Sequence, residues 1–424
     1  MAQFFYKILT SALWFFTPLF LLFNKKLMSR IKNERVQYKI ALSKIKTNSK
    51  KVIWIHAASG GEYEQVVPVL ELINRDKYFI LLSFMSPTVY NKQKNTYLAD
   101  ATIYHPLDFY WKAKKFIKDF NPNFYILNRH DIWPNHINIA KKMNIKIVII
   151  NLNIHFKSLR FHWLLISFNK KLFLNFNKIY TGTQRLKSTI SRLVNHNNIE
   201  ITGDTRYNRV KNRKKKAKQD LLPNKFKTTK NIILGSIVES DYDIVFDGIH
   251  KKYPYGDSDL ISENIGLIIT PHEINKSIIL KLKKTLLNLK IEYTLYSEIK
   301  ANPSRKCNNT IIIDTVGILA DLYQYARLSY IGAGFGDGVH NVLEPAVYGC
   351  LVSFGPNIYI LDEAIDLHEK GLGEMVHNIN DFKNYLDLID SDEKYNEIKL
   401  KLESFVEKRT CNIEKMLQDI LDEK

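Results

Sequence analysis

Gly332-Ala-Gly-Phe-Gly-Asp-Gly-Val-His-Asn-Val-Leu-Glu-Pro345 follows an apolar run, Leu328-Ser-Tyr-Ile331, that reads as a buried strand. It leads into Asn341–Gly349, which reads as a helix. Four glycines therefore sit on a strand-to-helix turn, with His340, Asn341 and Glu344 at the start of the helix. Glycine lets the backbone approach a ligand closely, and the free N–H groups of a first helical turn favour an anion. A carboxylate one turn in accepts hydrogen bonds from vicinal hydroxyls, such as those of a ribose. Phosphate plus ribose means a nucleotide. The match to G-x-G-x-x-G is partial and weak alone. The added His-Asn-x-x-Glu makes the block more specific.

Strands and helices alternate on both sides of this turn. In the C-terminal half, strands are expected at Ile232–Leu234, Gly266–Ile269, Ile291–Leu295, Thr310–Ile313, Leu328–Ile331 and Leu351–Phe354. In the N-terminal half they are expected at Val52–His56, Tyr78–Phe84, Phe124–Leu127, Lys146–Asn151, Lys178–Thr181 and Ile199–Thr202. Helical stretches such as Glu62–Asn74, Trp111–Phe120 and Asn135–Met143 lie between them. This alternation implies parallel sheets with helices on both faces. A length of 424 residues implies two domains. The charged run Val210-Lys-Asn-Arg-Lys-Lys-Lys-Ala-Lys218 reads as a solvated face or linker, and the stretch from there through Lys225 is the best boundary. The expected layout is an N-terminal segment 1–30, Rossmann-like domains at 31–215 and 225–392, and a polar helical tail at 393–424. A ligand crevice is expected between the two α/β halves, at the carboxyl ends of their strands.

The chain is 45% hydrophobic and 25% charged, as globular proteins are, with a formal net charge of +19. Such an excess suits a polyanionic neighbour: nucleic acid, an acidic membrane face or a phosphorylated substrate. A compositional drift towards Lys, Asn and Ile accounts for it equally. Cys307, Cys350 and Cys411 are far apart and no His pair has ligand spacing, so neither a disulfide framework nor a metal site is expected. Ile8 to Phe23 carries no charge over sixteen residues and is followed by Lys25, Lys26, Arg30 and Lys32. That is short of the roughly 20 residues of a span. A retained membrane anchor with the body on the cytoplasmic side is expected, a buried first helix being the alternative.

Other candidate residues also follow strands. Ser59-Gly60-Gly61-Glu62 comes after the first strand, where Glu62 can serve as a general base for an acceptor hydroxyl. A helix N-terminus would favour an acidic residue there in any case, and its dipole would lower the carboxyl pKa. Arg129 and Asp131 follow Phe124–Leu127; the arginine suits a carboxylate or phosphate and the aspartate a hydroxyl. Pro134 and Trp133 fit a helix start packed on the core equally well. Gly203-Asp-Thr-Arg-Tyr207 and Gly235-Ser236 are weaker loop signals, and His272 after Gly266–Ile269 can reach a phosphate or a base. Asn151–Lys178 interleaves Lys157, Arg160, Lys170 and Lys171 with Phe156, Phe161, Trp163 and Phe168. That mixture suits an anionic membrane surface, an acylated phosphorylated substrate, nucleic acid, or simply a packed helix.

In order along the chain, Ser59-Gly-Gly-Glu62, Asp131-Ile-Trp-Pro134, Gly203-Asp-Thr-Arg206, Pro271-His-Glu273, Asp314-Thr-Val-Gly317 and Gly338-Val-His-Asn-Val-Leu-Glu-Pro345 resemble the 3-deoxy-D-manno-octulosonic acid (Kdo) transferase family, in a Bacteroidetes-like branch. The resemblance spans almost the whole chain. It implies an α/β glycosyltransferase of the GT-B class with two Rossmann-like domains and an N-terminal membrane anchor. It implies inverting transfer of Kdo from CMP-Kdo to a lipid A precursor, at the cytoplasmic face of the inner membrane, with no cofactor, metal or nucleic acid. By motif, Glu62 is the catalytic base. Ser236, His272, Gly334, Gly336, Gly338, His340, Asn341 and Glu344 fall at donor-binding positions, and Ser59, Gly60, Arg129 and Asp131 on the acceptor side. Many family members have an acidic residue where this chain has Arg129, and a basic residue where it has Pro271. Three other readings are a membrane-associated GT-B transferase with a UDP-sugar donor, a basic nucleic-acid-binding protein, and a membrane-anchored scaffold with a degenerate site.

Overall fold

The computed structural model describes residues 6–14, 25–359 and 361–422. The chain divides into two compact units: Met1–Arg209 with Arg409–Lys424, and Val210–Lys408.

The first unit is built on seven parallel strands: β1 (Lys51–Ala57), β2 (Tyr78–Phe84), β3 (Ala101–Tyr104), β4 (Phe124–Asn128), β5 (Lys146–Ile150), β6 (Lys178–Thr181) and β7 (Ile199–Ile201), in the order β3-β2-β1-β4-β5-β6-β7. Helices cover both faces, so the strands read as unbroken apolar runs; all of β1 beyond Lys51 is buried. Successive side chains still point to opposite faces. Trp54, Tyr125 and Ile147 join one core, while Ile53, Ile55, Ile126 and Val148 join the other.

The second unit repeats the plan with β8 (Lys230–Ile237), β9 (Ile265–Pro271), β10 (Tyr293–Leu295), β11 (Thr310–Ile312), β12 (Ala326–Ile331), β13 (Leu351–Phe354) and β14 (Gly373–Met375). Their order is β10-β11-β9-β8-β12-β13-β14, again all parallel. In each sheet the chain first builds outward on one side of its opening strand and then crosses to the other. The strand order thus reverses between β1 and β4, and between β8 and β12. Loops leaving the carboxyl ends at such reversals splay apart and leave room for a ligand.

Some elements differ from expectation. The edge strands β3 and β14 have only four and three residues, too few to show an apolar run. The helix expected at Asn341–Gly349 is only Leu343–Tyr348, with Val342 at its N-cap; Asn341, before the cap, accepts from Leu343 N at 3.0 Å in a local turn. The tail expected as one element is split. Asp392–Arg409 is a helix lying almost wholly within the second unit's part of the chain, whereas Ile413–Leu421 packs Ile413, Met416, Leu417 and Ile420 into a core of the first unit. Among the described residues no helix is long and apolar enough to cross a membrane. Residues 6–14 are helical, and 15–24, the rest of the expected anchor, lie outside the described residues.

Candidate functional site

Glu62 stands at the first strand-order reversal. Ser59 caps the helix Gly60–Leu72, its Oγ accepting from Glu62 N at 3.3 Å, and Glu62 Oε2 accepts from Ala58 N at 2.7 Å. This is a capping-box arrangement with the return bond displaced by one residue. It holds the carboxylate against the end of β1, where Glu62 is 7% exposed. Burial raises its pKa, and the nearby Asp131 charge adds to that; the Ala58 N–H and the His56 and Arg129 charges only partly oppose it. The expected lowering by the helix dipole is therefore overturned: desolvation is the larger effect. A Cβ at Gly61 would meet nothing within 4 Å, so there is open room at the helix start.

Glu62 is set in place by a buried network of three amides and Thr205, of which only Thr205 lies in one of the sequence motifs. Asn128, at the end of β4, donates to Glu62 O at 3.1 Å and to Gln65 Oε1 at 3.0 Å. Asn151, after β5, donates to Asn128 Oδ1 and to Thr205 Oγ1, and Thr205 Oγ1 donates to Gln65 O. All four side chains are buried, and such a network fixes one arrangement of the elements it joins.

Asp131 accepts from His56 Nε2 at 2.7 Å and from Trp133 Nε1 at 3.0 Å. Burial alone would raise its pKa, but these bonds and the His56 charge carry it below the ordinary value. Behind His56 lie two more buried imidazoles. His105 is 4.1 Å from the His56 ring and 4.5 Å from that of His136, which meets Asp108 Oδ1 at 2.6 Å. Burial, then the two flanking histidines, push the His105 pKa well down, so this ring is neutral. Arg129 adopts a left-handed backbone, φ 59°, while its N–H continues the sheet to Ile150 O.

In the second unit the glycine turn closes on itself. Gly332 N bonds to Gly235 O, Gly336 N and Gly338 N bond to Ala333 O, and His340 N bonds back to Gly332 O. A Cβ on Gly334 would lie 2.5 Å from Gly355 N, so two backbones touch there. Asn357 ties the loops together, its N–H donating to Gly334 O and its Nδ2 to Gly336 O. Beneath them Asp241, buried and unmarked by any motif, accepts from Val238 N, Ala333 N and Tyr330 Oη. His272 and His340 stack at 4.2 Å, with Ser236 Oγ 3.3 Å from His272 Nδ1. Burial, and then His272, lower the His340 pKa. His272, Gly336 and Asn341 are exposed to solvent. Glu344 lies in the first turn of its short helix, 3.6 Å from Arg213 Nη1.

The expected residues thus fall into two clusters. Ser59, Gly60, Glu62, Arg129 and Asp131 gather at one strand-order reversal. Ser236, His272, Gly334, Gly336, Gly338 and His340 gather at the other, and Asn341 and Glu344 follow on the same loop. Among the described residues no group of three His, Cys, Asp or Glu side chains is placed to hold a metal ion.

The sequence profile described as 3-Deoxy-D-manno-octulosonic-acid transferase (kdotransferase) matches residues 31–209. The chain is 26% identical over 377 residues to a 3-deoxy-D-manno-octulosonic acid transferase of Aquifex aeolicus, covering 87% of this chain and 94% of that protein. It is 24% identical over 354 residues to one from Chlamydophila psittaci, covering 81% and 78%. A bifunctional glycosyltransferase/methyltransferase of Fusobacterium nucleatum is 24% identical over 403 residues; the match covers 91% of this chain but 59% of that longer protein. Among solved structures, a glycosyltransferase from Rickettsia africae superposes with a TM-score of 0.58 at 13% identity, over 89% of this chain and 100% of that one. The UDP-GlcNAc 2-epimerase of Neisseria meningitidis does so with a TM-score of 0.61 at 13% identity, over 88% and 99%. These likenesses establish the fold as the tandem α/β architecture of the GT-B class.

Proposed function

We propose that this chain, a member of the 3-deoxy-D-manno-octulosonic acid transferase family and a glycosyltransferase, takes Kdo from CMP-Kdo and places it on a lipid A precursor with inversion. One observation carries the reading. Glu62 is a buried carboxylate whose pKa is raised by desolvation, held by Ala58 N–H at a strand-order reversal with open room beside it. A carboxylate so placed suits general-base work near neutral pH.

In the proposed reaction Glu62 accepts the proton of a glucosamine hydroxyl. The hydroxyl oxygen forms a bond to C2 of Kdo while the C2–O bond to CMP breaks, and CMP leaves with the electron pair. The developing charge on the leaving phosphate is met by His272 and by the N–H groups of the turn from Gly334 to Gly338 other than those of Gly336 and Gly338, which bond to Ala333 O. Asn341 and Glu344 take the cytidine ribose. The Glu344 carboxylate would exchange part of its interaction with Arg213 for the ribose hydroxyls.

A membrane-bound acceptor also fits the surface of the first unit. Ile8, Leu9, Leu13 and Trp14 of the N-terminal helix, and Phe156, Leu159, Trp163 and Leu164, are all largely exposed. A groove of about 620 Å³ is lined by Tyr6, Ile8, Leu9, Leu164, Leu165 and Phe168. Apolar side chains with Lys157, Lys170 and Lys171 nearby in sequence suit the surface of an anionic bilayer. We infer attachment to the cytoplasmic face of the inner membrane through this region.

The test is incubation of the purified protein with CMP-Kdo and a tetra-acylated lipid A precursor, read by mass spectrometry. Product ions heavier by whole Kdo residues are expected. Consumption of a UDP-sugar with CMP-Kdo untouched would overturn the donor assignment, and Kdo appearing only as free sugar would overturn the acceptor.

A further inference from the structure

Arg129 has no carboxylate of its own. Three basic side chains, Arg129, Arg160 and Arg206, and three carboxylates, Glu62, Asp131 and Asp204, interact around the carboxyl ends of β4 and β5. Most of the pairings are already made. Arg206 Nε and Nη2 both bond to Asp204 Oδ2, at 3.1 and 2.9 Å. Asp131 is engaged by His56 and Trp133, and Glu62 by Ala58 N–H. Arg160 donates to His130 O and Asn169 Oδ1. Arg129 Nε, by contrast, is buried without a hydrogen-bond partner.

The backbone supports a purpose for this residue. At φ 59° Arg129 occupies a region that costs a branched or long side chain energy, and such strain persists where the surroundings enforce it, often at ligand sites. Burial, then the Arg206 charge, lower the guanidinium pKa to about 10, and the Asp204 and Glu62 charges only partly oppose this.

We propose that Arg129 determines acceptor specificity, pairing its guanidinium with a phosphate monoester carried by the acceptor next to the hydroxyl that Glu62 deprotonates. The planar fork of an arginine matches two phosphate oxygens, and a phosphate oxygen would give the buried Nε the acceptor it lacks. The inference rests on the acceptor reading above, because it needs an acceptor that carries phosphate.

The test compares wild type with Arg129→Gln and Arg129→Lys, at pH 8 or above so that Glu62 stays ionised in each. With a phosphorylated acylated glucosamine disaccharide, Arg129→Gln should raise the acceptor KM roughly tenfold to a hundredfold, as loss of a charged hydrogen-bonded pair does. KM for the dephosphorylated acceptor and for CMP-Kdo should not move, and Arg129→Lys should restore part of the difference. Equal losses on both acceptors, or a change confined to CMP-Kdo, would overturn the proposal. Calorimetry with the soluble glucosamine disaccharide bisphosphate gives a readout free of turnover. If wild type transfers Kdo to no glucosamine lipid, the acceptor reading fails; the inference then stands or falls on whether Arg129→Gln weakens bisphosphate binding relative to the unphosphorylated disaccharide.

Discussion

His56 Nε2 lies 2.7 Å from Asp131 Oδ2, bringing together the ends of β1 and β4 from positions 75 apart in the chain. The other ring nitrogen, Nδ1, is 3.0 Å from Ser83 Oγ, which also accepts from Trp54 Nε1. Nε2 donates to Asp131, while Nδ1 also faces Ser83 O at 3.1 Å, and the Ser83 hydroxyl donates to Ile55 O. Asp131 is therefore aimed by a chain of bonds that begins in the core.

Replacing His56 with alanine should break that chain, open a void in the core and leave Asp131 with only Trp133 of these two donors. A loss of about 2 kcal/mol from the first unit is expected. Urea denaturation followed by tryptophan fluorescence checks it, since Trp54 lies in that core.

Glu62→Gln keeps the acceptor for Ala58 N–H but cannot take a proton. Transfer should fall by about 10²–10⁴-fold, the usual contribution of a general base, with CMP-Kdo affinity unchanged by calorimetry. In the wild type, kcat/KM should decline as the pH falls through an apparent pKa above 4.5, the ordinary value for this side chain. An inflection at or below that value would count against Glu62 as the base. Arg129→Gln should move the inflection upward, because the arginine charge favours ionised Glu62.

Glu62 and Asp131 should affect stability with opposite signs. The folded-state pKa of Glu62 is raised, so its relative contribution is fully present below the unfolded value and lost as pH rises through the folded one. Asp131 is shifted down; its contribution is present above 3.8 and lost as pH falls through its folded value. Thermal melts at neutral pH should show Glu62→Gln as stable as the wild type or more so, and Asp131→Asn less so. Below pH 4 both differences should shrink.

Gly334→Ala should separate donor binding from the base. Its new Cβ would press on Gly355, so the turn must open; CMP affinity should drop at least as far as in Glu344→Ala, which removes the proposed ribose contact and the Arg213 interaction. Titration calorimetry with CMP ranks the two variants.

Charges placed on the apolar surface should release the protein from vesicles. Leu9→Glu with Trp163→Glu should cut sedimentation with anionic liposomes several-fold, while transfer to a detergent-dispersed acceptor persists.

The two sheets were legible because their central strands are buried on both faces and read as Val- and Ile-rich runs. Of the short edge strands, β7 and β10 were legible from their apolar residues, whereas β3 and β14 carry too little pattern to stand out. Candidate residues on loops after strands were legible for the same reason: strand ends are visible even when loop conformations are not. The Glu62 pKa was not, because position on a helix says nothing of how much protein covers it. Asn128, Asn151 and Asp241, and the network role of Thr205 within its motif, were invisible, since single polar residues acquire meaning only when folding brings distant ones together. The return of the chain to the first unit was hidden as well, the apolar spacing of Ile413–Leu421 naming a buried face but not its partner.

That return has a consequence for biosynthesis. The helix carrying Glu62 packs against Ile413–Leu421, and Gly203 turns where Arg409 and Thr410 come close. A ribosome finishes the residues of the second unit through Lys408 before it makes this closing helix. The nascent chain can thus complete first the unit proposed to hold nucleotide, while the unit bearing Glu62 waits for residue 421 to emerge. Premature termination near position 408 would yield a protein that holds nucleotide yet performs no transfer.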